Sequence, residues 1–199
     1  MVSWRERKIP VFIHVDDGLV FSKTKEGAVA EAKILQDDLE RLGLITSADK
    51  CEWIPTQSFR WCGFVWDTLN WTVKVEEDKM SRIVKAAKEI RNSVTATARQ
   101  MAALSGLIIS CTVALGRNAR FRSRMMSMWT MHLVDEYVWN GFSSVTEKVK
   151  QECDFWVFNF ERLNGPEEEK LDGRVTIGLP VRLWNWAPSS LMLWRSLAG

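Results

Sequence analysis

Two adjacent carboxylates, Asp16 and Asp17, stand in the middle of the apolar stretch FIHVDDGLVF. Anions side by side repel each other, and burying either one without a partner is costly or forces it to take up a proton. A solvated turn, a cation from elsewhere in the chain or a bound metal ion can compensate the pair. Two carboxylates held on a rigid hairpin also suit the two-metal centres that catalyse phosphoryl transfer.

The residues around this pair predict a β-hairpin. Apolar, β-branched runs at 9–15 and 19–21 enclose Asp16, Asp17 and Gly18, and Asp-Gly is a common hairpin turn. The apolar residues of the first run do not alternate, so we expect that strand to be covered on both faces. Thr24 then predicts the N-cap of a helix that ends at Gly43.

Further elements give an α+β fold class. Alternating side chains at 61–66 and a turn at 67–70 predict a second hairpin that returns at 71–75. Apolar residues spaced as on one helix face predict a helix over 80–90. Thr97 and Gln100 form a capping box that opens a helix over 101–115. Two more helices are predicted at 120–135 and 144–163, and no regular element after Gly165.

The composition is that of a globular protein. The chain has 199 residues, of which 46% are hydrophobic and 26% charged. Its four cysteines form no CxxC pair and its two histidines give no zinc-ligand spacing, which favours reduced thiols in an intracellular, cytoplasmic or nuclear protein. The most apolar stretch, at 101–116, is too short to span a bilayer, so we expect no membrane partner.

The basic residues are concentrated in one segment. Residues 79–124 contain ten Lys and Arg but only one acidic residue, Glu89, which gives a net charge of +9. Clustered cations attract a polyanion and displace the counterions of its phosphates. A solvated helix face has the same composition, and the charge alone does not separate the two interpretations.

Four motifs in order resemble the C-terminal half of a reverse transcriptase palm, in particular that of tyrosine-recombinase (DIRS-like) retroelements. HVDD at 14–17 is similar to the Tyr-x-Asp-Asp metal-binding turn, and LGLITSADKCEWIPTQ to the Leu-Gly-Leu…Asn-x-x-Lys-Ser…Pro-Thr-Gln stretch. FRWCGFVWD resembles the primer-grip hairpin, and TARQMAALSGLIIS the Thr-x-Arg-x-Leu-x-x-Leu-x-Gly helix beyond the thumb. The resemblance covers residues 9–165.

The resemblance implies roles for particular residues. Asp16 is the principal ligand and Asp17 its partner for Mg²⁺ or Mn²⁺. Lys50 approaches the phosphates of the incoming deoxynucleotide, although a solvated lysine in a turn is the alternative. The implied primer grip is Trp61, Cys62, Gly63 and Phe64. We expect its aromatic residues, like Trp66, to belong to the core rather than to stack on bases. The implied contacts to the RNA/DNA template–primer duplex are Lys79, Arg82, Lys85, Lys88, Arg99, Arg117 and Arg120.

The resemblance also implies an organisation and a function. Residues 1–75 are expected to be the C-terminal half of the palm, 76–165 a helical thumb and connection, and 166–199 an irregular tail that leads into an RNase H-like region. The expected function is that of a retrotransposon RNA-directed DNA polymerase fragment, a nucleotidyltransferase in its parent enzyme. The parent's third metal-binding Asp and its fingers lie upstream of this segment, and His14 replaces the family's Tyr.

We therefore expect little or no catalysis from this chain alone. A non-catalytic nucleic-acid-binding remnant and an unrelated α+β interaction domain are the alternatives, and the sequence does not determine the oligomeric state.

Overall fold

The computed structural model describes residues 4–15, 17–136, 139–164 and 190–195. It is a mixed α+β fold, which confirms the predicted fold class. The chain divides into two units, residues 1–72 with 181–199 and residues 73–180. Within the described part of the chain, no helix combines the length and the apolar character that crossing a membrane requires.

The first unit contains most of the β-structure. Its elements are β1 (Val11–His14), β2 (Asp17–Ser22), α1 (Lys25–Arg41), β3 (Glu52–Thr56), β4 (Ser58–Trp61), β5 (Phe64–Asp67) and, from the far end of the chain, β9 (Ser190–Arg195). The chain passes into the second unit within β6 (Thr72–Val75).

Four strands of the first unit form one sheet in the order β1, β2, β9, β3. Each strand is antiparallel to its neighbour in this order. β9 therefore holds β2 and β3 together, although it lies in the segment for which the sequence predicts an irregular tail. The sheet depends on β9, which lies more than a hundred residues after β2 and β3 in the sequence. Local sequence patterns do not predict a pairing over this distance.

Helix α1 confirms the prediction for this segment. The Thr24 hydroxyl accepts the backbone N–H of Gly27 at 3.0 Å, and Gly43 ends the helix with a φ of +70°. The buried stripe of α1 packs against apolar residues of the N-terminal segment and β2, and the members of this core are Ile9, Val20, Ala28, Ala32, Leu35 and Leu39.

The expectation that the first strand is covered on both faces is wrong. β1 is the edge strand of the sheet, and Phe12 and Ile13 are 39% and 61% exposed. A run of apolar residues does not distinguish a buried strand from an exposed apolar edge, because burial depends on neighbours that are distant in sequence.

The second unit is mostly helical. Its elements are α2 (Glu77–Asn92), β7 (Thr95–Thr97), α3 (Ala98–Ser110), α4 (Thr112–Leu115), α5 (Asn118–Phe121), α6 (Arg124–Glu136), β8 (Phe142–Ser144) and α7 (Glu147–Leu163). The predicted stripe of α2 is confirmed, since Ile83, Ala87 and Ile90 are buried. Helices α2, α3, α6 and α7 pack in a closed ring, with α2 next to α7.

Contacts at both ends show that α2 and α7 are antiparallel. Asn164, directly after α7, accepts the backbone N–H of Val75 at 2.6 Å and donates to the Val75 carbonyl at 2.9 Å, just before α2 begins. At the other end, the N–H of Val145 donates to the carbonyl of Val94, just after α2. Strands β7 and β8 pair beside this second end.

The predicted capping box is confirmed, but the helix it opens is shorter than expected. The Thr97 hydroxyl accepts the N–H of Gln100 at 3.2 Å, and the Gln100 side chain accepts the N–H of Thr97 at 2.9 Å. The helix breaks at Cys111. There the hydroxyls of Ser110 and Thr112 donate to carbonyls three residues earlier, which competes with regular helical bonding.

Candidate functional site

The hairpin that should carry the acidic pair is present, with its turn two residues earlier than the predicted Asp17-Gly18 turn. His14 and Asp17 are opposite each other in the register of β1 and β2, so they are joined by a two-residue loop that begins at Val15. Asp17 and Gly18 belong to β2 rather than to the turn. Val15 has a φ of +56°, an unusual conformation for a β-branched residue. The predicted metal ligand Asp16 lies outside the described residues.

Asp17 and Lys50 lie at the same end of the four-stranded sheet. β2 and β3 are both antiparallel to β9, so they run parallel to each other, and Asp17 and Glu52 are their first residues. Lys50 is exposed and precedes β3 by two residues. One strand, β9, separates β2 from β3, which places the backbones at this end about 10 Å apart.

The register also brings the backbone of Arg195, in β9, opposite Asp17. The sequence places this arginine 178 positions from Asp17, and only the pairing of β9 with β2 makes the two neighbours.

The described residues do not complete a metal centre. No group of three His, Cys, Asp or Glu side chains that could hold a metal ion occurs among them. A two-metal site needs several carboxylates around one point.

The implied primer grip forms the tip of a second hairpin. Cys62 and Gly63 connect β4 to β5 with φ values of +52° and +77°, the two positive angles of a type I′ turn. The alternation predicted from Trp61 to Trp66 is therefore interrupted by a turn. Gly63 suits this position because it has no β-carbon to oppose a positive φ.

The aromatic side chains of this hairpin belong to the core of the first unit. Phe59 and Trp66 stack with their ring centroids 6.3 Å apart, and the Trp66 indole N–H donates to the Trp61 carbonyl at 3.2 Å. Phe64 is buried, and Trp61 packs against the buried pair of Leu19 and Phe59. Side chains in these contacts support the hairpin and are not presented for stacking on a base.

A basic face on α2 is the clearest surface among the predicted sites. Arg82, Lys85 and Lys88 are all exposed, while Ile83 and Ala87 point into the helical core. At 100° per residue, Lys85 and Lys88 lie opposite Ile83, and Arg82 lies beside them. Ser81 and Asn92 share the outer side of the helix, and a shallow depression of about 420 Å³ runs along it.

The other predicted contacts are dispersed over the second unit. Arg117 and Arg120 are exposed where α4 passes into α5. The Arg99 side chain donates to the Asn140 side chain at 3.0 Å at the start of α3. Lys79 is half-buried near the thiol of Cys111. Of the predicted contacts, only the three exposed α2 residues therefore share one face of a long helix, and this face also carries exposed Glu89.

Two further arginines of the basic segment are held by the fold. Arg91 forms an ion pair with Asp154 and lies over the ring of Phe158. The Arg122 guanidinium lies 4.6 Å from the ring centroid of Phe155. Both tie their segments to α7, which gives them structural roles that the sequence alone does not reveal.

The comparisons with known proteins add no family. No protein-family model, no curated protein and no solved structure matched the chain.

Proposed function

We propose that this chain is a palm and thumb fragment of a reverse transcriptase that binds an RNA–DNA template–primer duplex through the basic face of α2. In this proposal the fragment does not add nucleotides by itself. Asp16 and Asp17 are the metal-binding pair of the parent enzyme, for Mg²⁺ or Mn²⁺, and Lys50 is directed to the phosphates of the deoxynucleotide. The four motifs of the sequence and their order support the parentage.

The observation that carries the binding function is the exposure of Arg82, Lys85 and Lys88 on one helix. All three are exposed, whereas Arg91 at the end of the same helix is paired with Asp154. Within the described part of the chain, Arg82, Lys85 and Lys88 form no such salt bridge. They are spaced by three residues on a rigid helix, so successive charges are about 4.5 Å apart along its axis. Such a row suits the phosphates of a nucleic acid backbone.

The absence of catalysis in this proposal follows from the resemblance. In the parent enzyme a third metal-binding Asp comes from an earlier strand of the palm, which the four matched motifs do not include. Two-metal nucleotidyl transfer needs both cations held close together. Asp17 and Lys50, at one end of the sheet, are compatible with the parent's site but do not complete it.

The binding function can be tested with a fluorescently labelled RNA–DNA hybrid and polarisation at several salt concentrations. The triple variant Arg82→Gln, Lys85→Gln, Lys88→Gln should bind about tenfold more weakly at low salt. Its slope of log affinity against log salt should be smaller by about 3, because three phosphate contacts are lost.

A matched control removes three exposed cations from α1, with Lys25→Gln, Lys33→Gln and Arg41→Gln. This control changes the net charge equally and should keep both the affinity and the slope. Equal losses in the two triple variants, or no binding by the unmodified chain at low salt, would refute the proposed surface. Primer extension that requires Mg²⁺ and disappears in Asp17→Asn would refute the proposal that the fragment is inactive.

A further inference from the structure

An arginine-rich turn joins the helices α4 and α6. Residues 116–131 contain four arginines and neither a lysine nor an acidic residue. The side chains of these arginines are all exposed, and the residues are Arg117, Arg120, Arg122 and Arg124. Phe121 lies between them in the sequence and is 68% exposed. The turn therefore presents an aromatic ring together with several cations to the solvent.

The backbone of this turn is fixed by the core of the helical unit. Ala119 and Ser123 are fully buried, and the Ser123 hydroxyl donates to the Ala119 carbonyl at 2.5 Å. The carbonyl of Arg122 accepts the indole N–H of Trp156 at 2.8 Å, and the Arg122 guanidinium lies over the ring of Phe155. Arg122 is therefore held by the fold, and the remaining exposed side chains are presented from a rigid support.

Two arginines and the phenylalanine lie on one side of the turn. The N–H groups of Arg120 and Phe121 both donate to the Arg117 carbonyl, at 3.1 and 3.0 Å, which forms one helical turn. At 100° per residue, these three residues fall within about 100° around the axis, and buried Ala119 lies opposite them. Residues three and four apart on a helix are neighbours, so Arg117 borders both of the others. Within the described part of the chain, neither arginine forms a salt bridge.

This combination of groups fits a nucleic acid strand whose bases are unpaired. The guanidinium groups can bind phosphates in a bidentate manner, and the face of the ring can stack on a base. In a duplex the base faces are covered by the neighbouring base pairs, so the ring would gain little there. One ring on a single turn also offers too little apolar surface for insertion into a bilayer.

We propose that the arginine-rich turn binds a single-stranded nucleic acid, with Phe121 stacked on one base and with Arg117 and Arg120 on the flanking phosphates. The site is separate from the basic face of α2 and takes a different ligand, a strand without base pairing. RNA and DNA of the same length bind about equally, because neither contact reads the 2′-hydroxyl.

Fluorescence polarisation with labelled oligouridine and oligothymidine of about 12 nucleotides tests this proposal. Phe121→Leu should weaken binding of both about tenfold at every salt concentration, because stacking releases no counterions. Phe121→Trp should bind at least as tightly as the unmodified chain. Arg117→Gln with Arg120→Gln should instead reduce the slope of log affinity against log salt by about 1.4. The control Phe142→Leu changes a ring that is 73% exposed outside the turn and should keep the affinity.

An abasic oligodeoxynucleotide of the same length isolates the stacking contact. The unmodified chain should bind it about tenfold more weakly than oligothymidine, whereas Phe121→Leu should bind the two equally. Equal binding of both by the unmodified chain, or a strong preference for RNA over DNA, would refute the assigned contacts. Binding to phosphatidylserine vesicles that Phe121→Leu abolishes, without binding to either oligonucleotide, would make the turn a membrane contact and refute the proposal. Circular dichroism spectra show whether each variant keeps its helical content.

The RNA–DNA hybrid separates this site from the proposed function. Phe121→Leu should bind the hybrid like the unmodified chain, and the triple variant of α2 should keep its affinity for oligouridine. If the hybrid does not bind while oligouridine binds in a manner that depends on Phe121, the proposed function is refuted and this site stands. Equal losses of both ligands in each variant would refute the presence of two separate sites.

Discussion

Glu152 connects two helices through the backbone, and its removal should destabilise the helical unit. The carboxylate lies on α7 and accepts the N–H of Met125 at 2.8 Å and that of Met126 at 2.9 Å, in the first turn of α6. Ser123, which precedes this helix, donates its hydroxyl to the Ala119 carbonyl at 2.5 Å. A side chain from another helix therefore caps α6.

The expected loss in the free energy of unfolding can be calculated from these two hydrogen bonds. A hydrogen bond to a charged group contributes about 1.5–3 kcal/mol, so two fully buried bonds would total about 3–6 kcal/mol. Glu152 is only half-buried, and water can reach part of the freed backbone. We therefore expect Glu152→Ala to lower the free energy of unfolding by about 2–3 kcal/mol, and Glu152→Gln, which keeps one acceptor oxygen, by about 1 kcal/mol.

The effect should also depend on pH. Burial raises the pKa of the Glu152 carboxyl, while its bonds to the N–H groups of Met125 and Met126 and the charge of Arg122 oppose the shift. An acid with a higher pKa in the folded state binds its proton more tightly when folded. The contribution of Glu152 to the free energy of unfolding is complete below the pKa of the unfolded state. It falls as the pH rises through the pKa of the folded state. The stability difference between wild type and Glu152→Gln should therefore be larger at pH 4 than at pH 7.

Urea denaturation followed by circular dichroism measures these differences, and hydrogen exchange of the Met125 and Met126 amides reports the cap directly. Glu161→Gln, an exposed change on the same helix, is the control and should alter stability by less than about 0.5 kcal/mol. If Glu152→Ala unfolds like wild type and leaves the exchange of both amides unchanged, the cap does not contribute as proposed. A difference that grows with pH would contradict the assigned pKa direction.

Two further changes test how the helical unit is held together. Asn164→Ala removes both hydrogen bonds to the Val75 backbone and should lower the free energy of unfolding, measured in urea, by about 1–3 kcal/mol. The control Leu163→Ala, at the adjoining position, should leave the hydrogen exchange of the Val75 amide unchanged. Burial, reinforced by the charges of Glu152 and Asp154, raises the pKa of Cys153 to about 12. Its thiolate is therefore scarce below that pH, and we expect iodoacetamide at pH 8 to modify Cys153 in urea but not in the folded chain. Rapid modification of folded Cys153 would contradict this burial.

The sequence by itself predicted the elements whose signals are local. Thr24 and Gly43 mark the ends of α1, and the capping box of Thr97 and Gln100 opens α3, because caps act through bonds between residues close in the chain. Helical periodicity likewise predicted the buried stripe of α2, and the opposite side of this helix, with Lys85 and Lys88, is exposed. The side of α2 that carries the candidate basic face therefore follows from local spacing.

Only the tertiary structure decided which distant segments meet. The insertion of β9 between β2 and β3 places Asp17 and Lys50 at one end of a sheet, and Glu152 caps a helix that begins 28 residues earlier. The tertiary structure also leaves Met128 and Met131 exposed on α6. Strand pairing and burial depend on the total free energy of contacts between segments far apart in the chain, so a short sequence window does not predict which segment will pack against it.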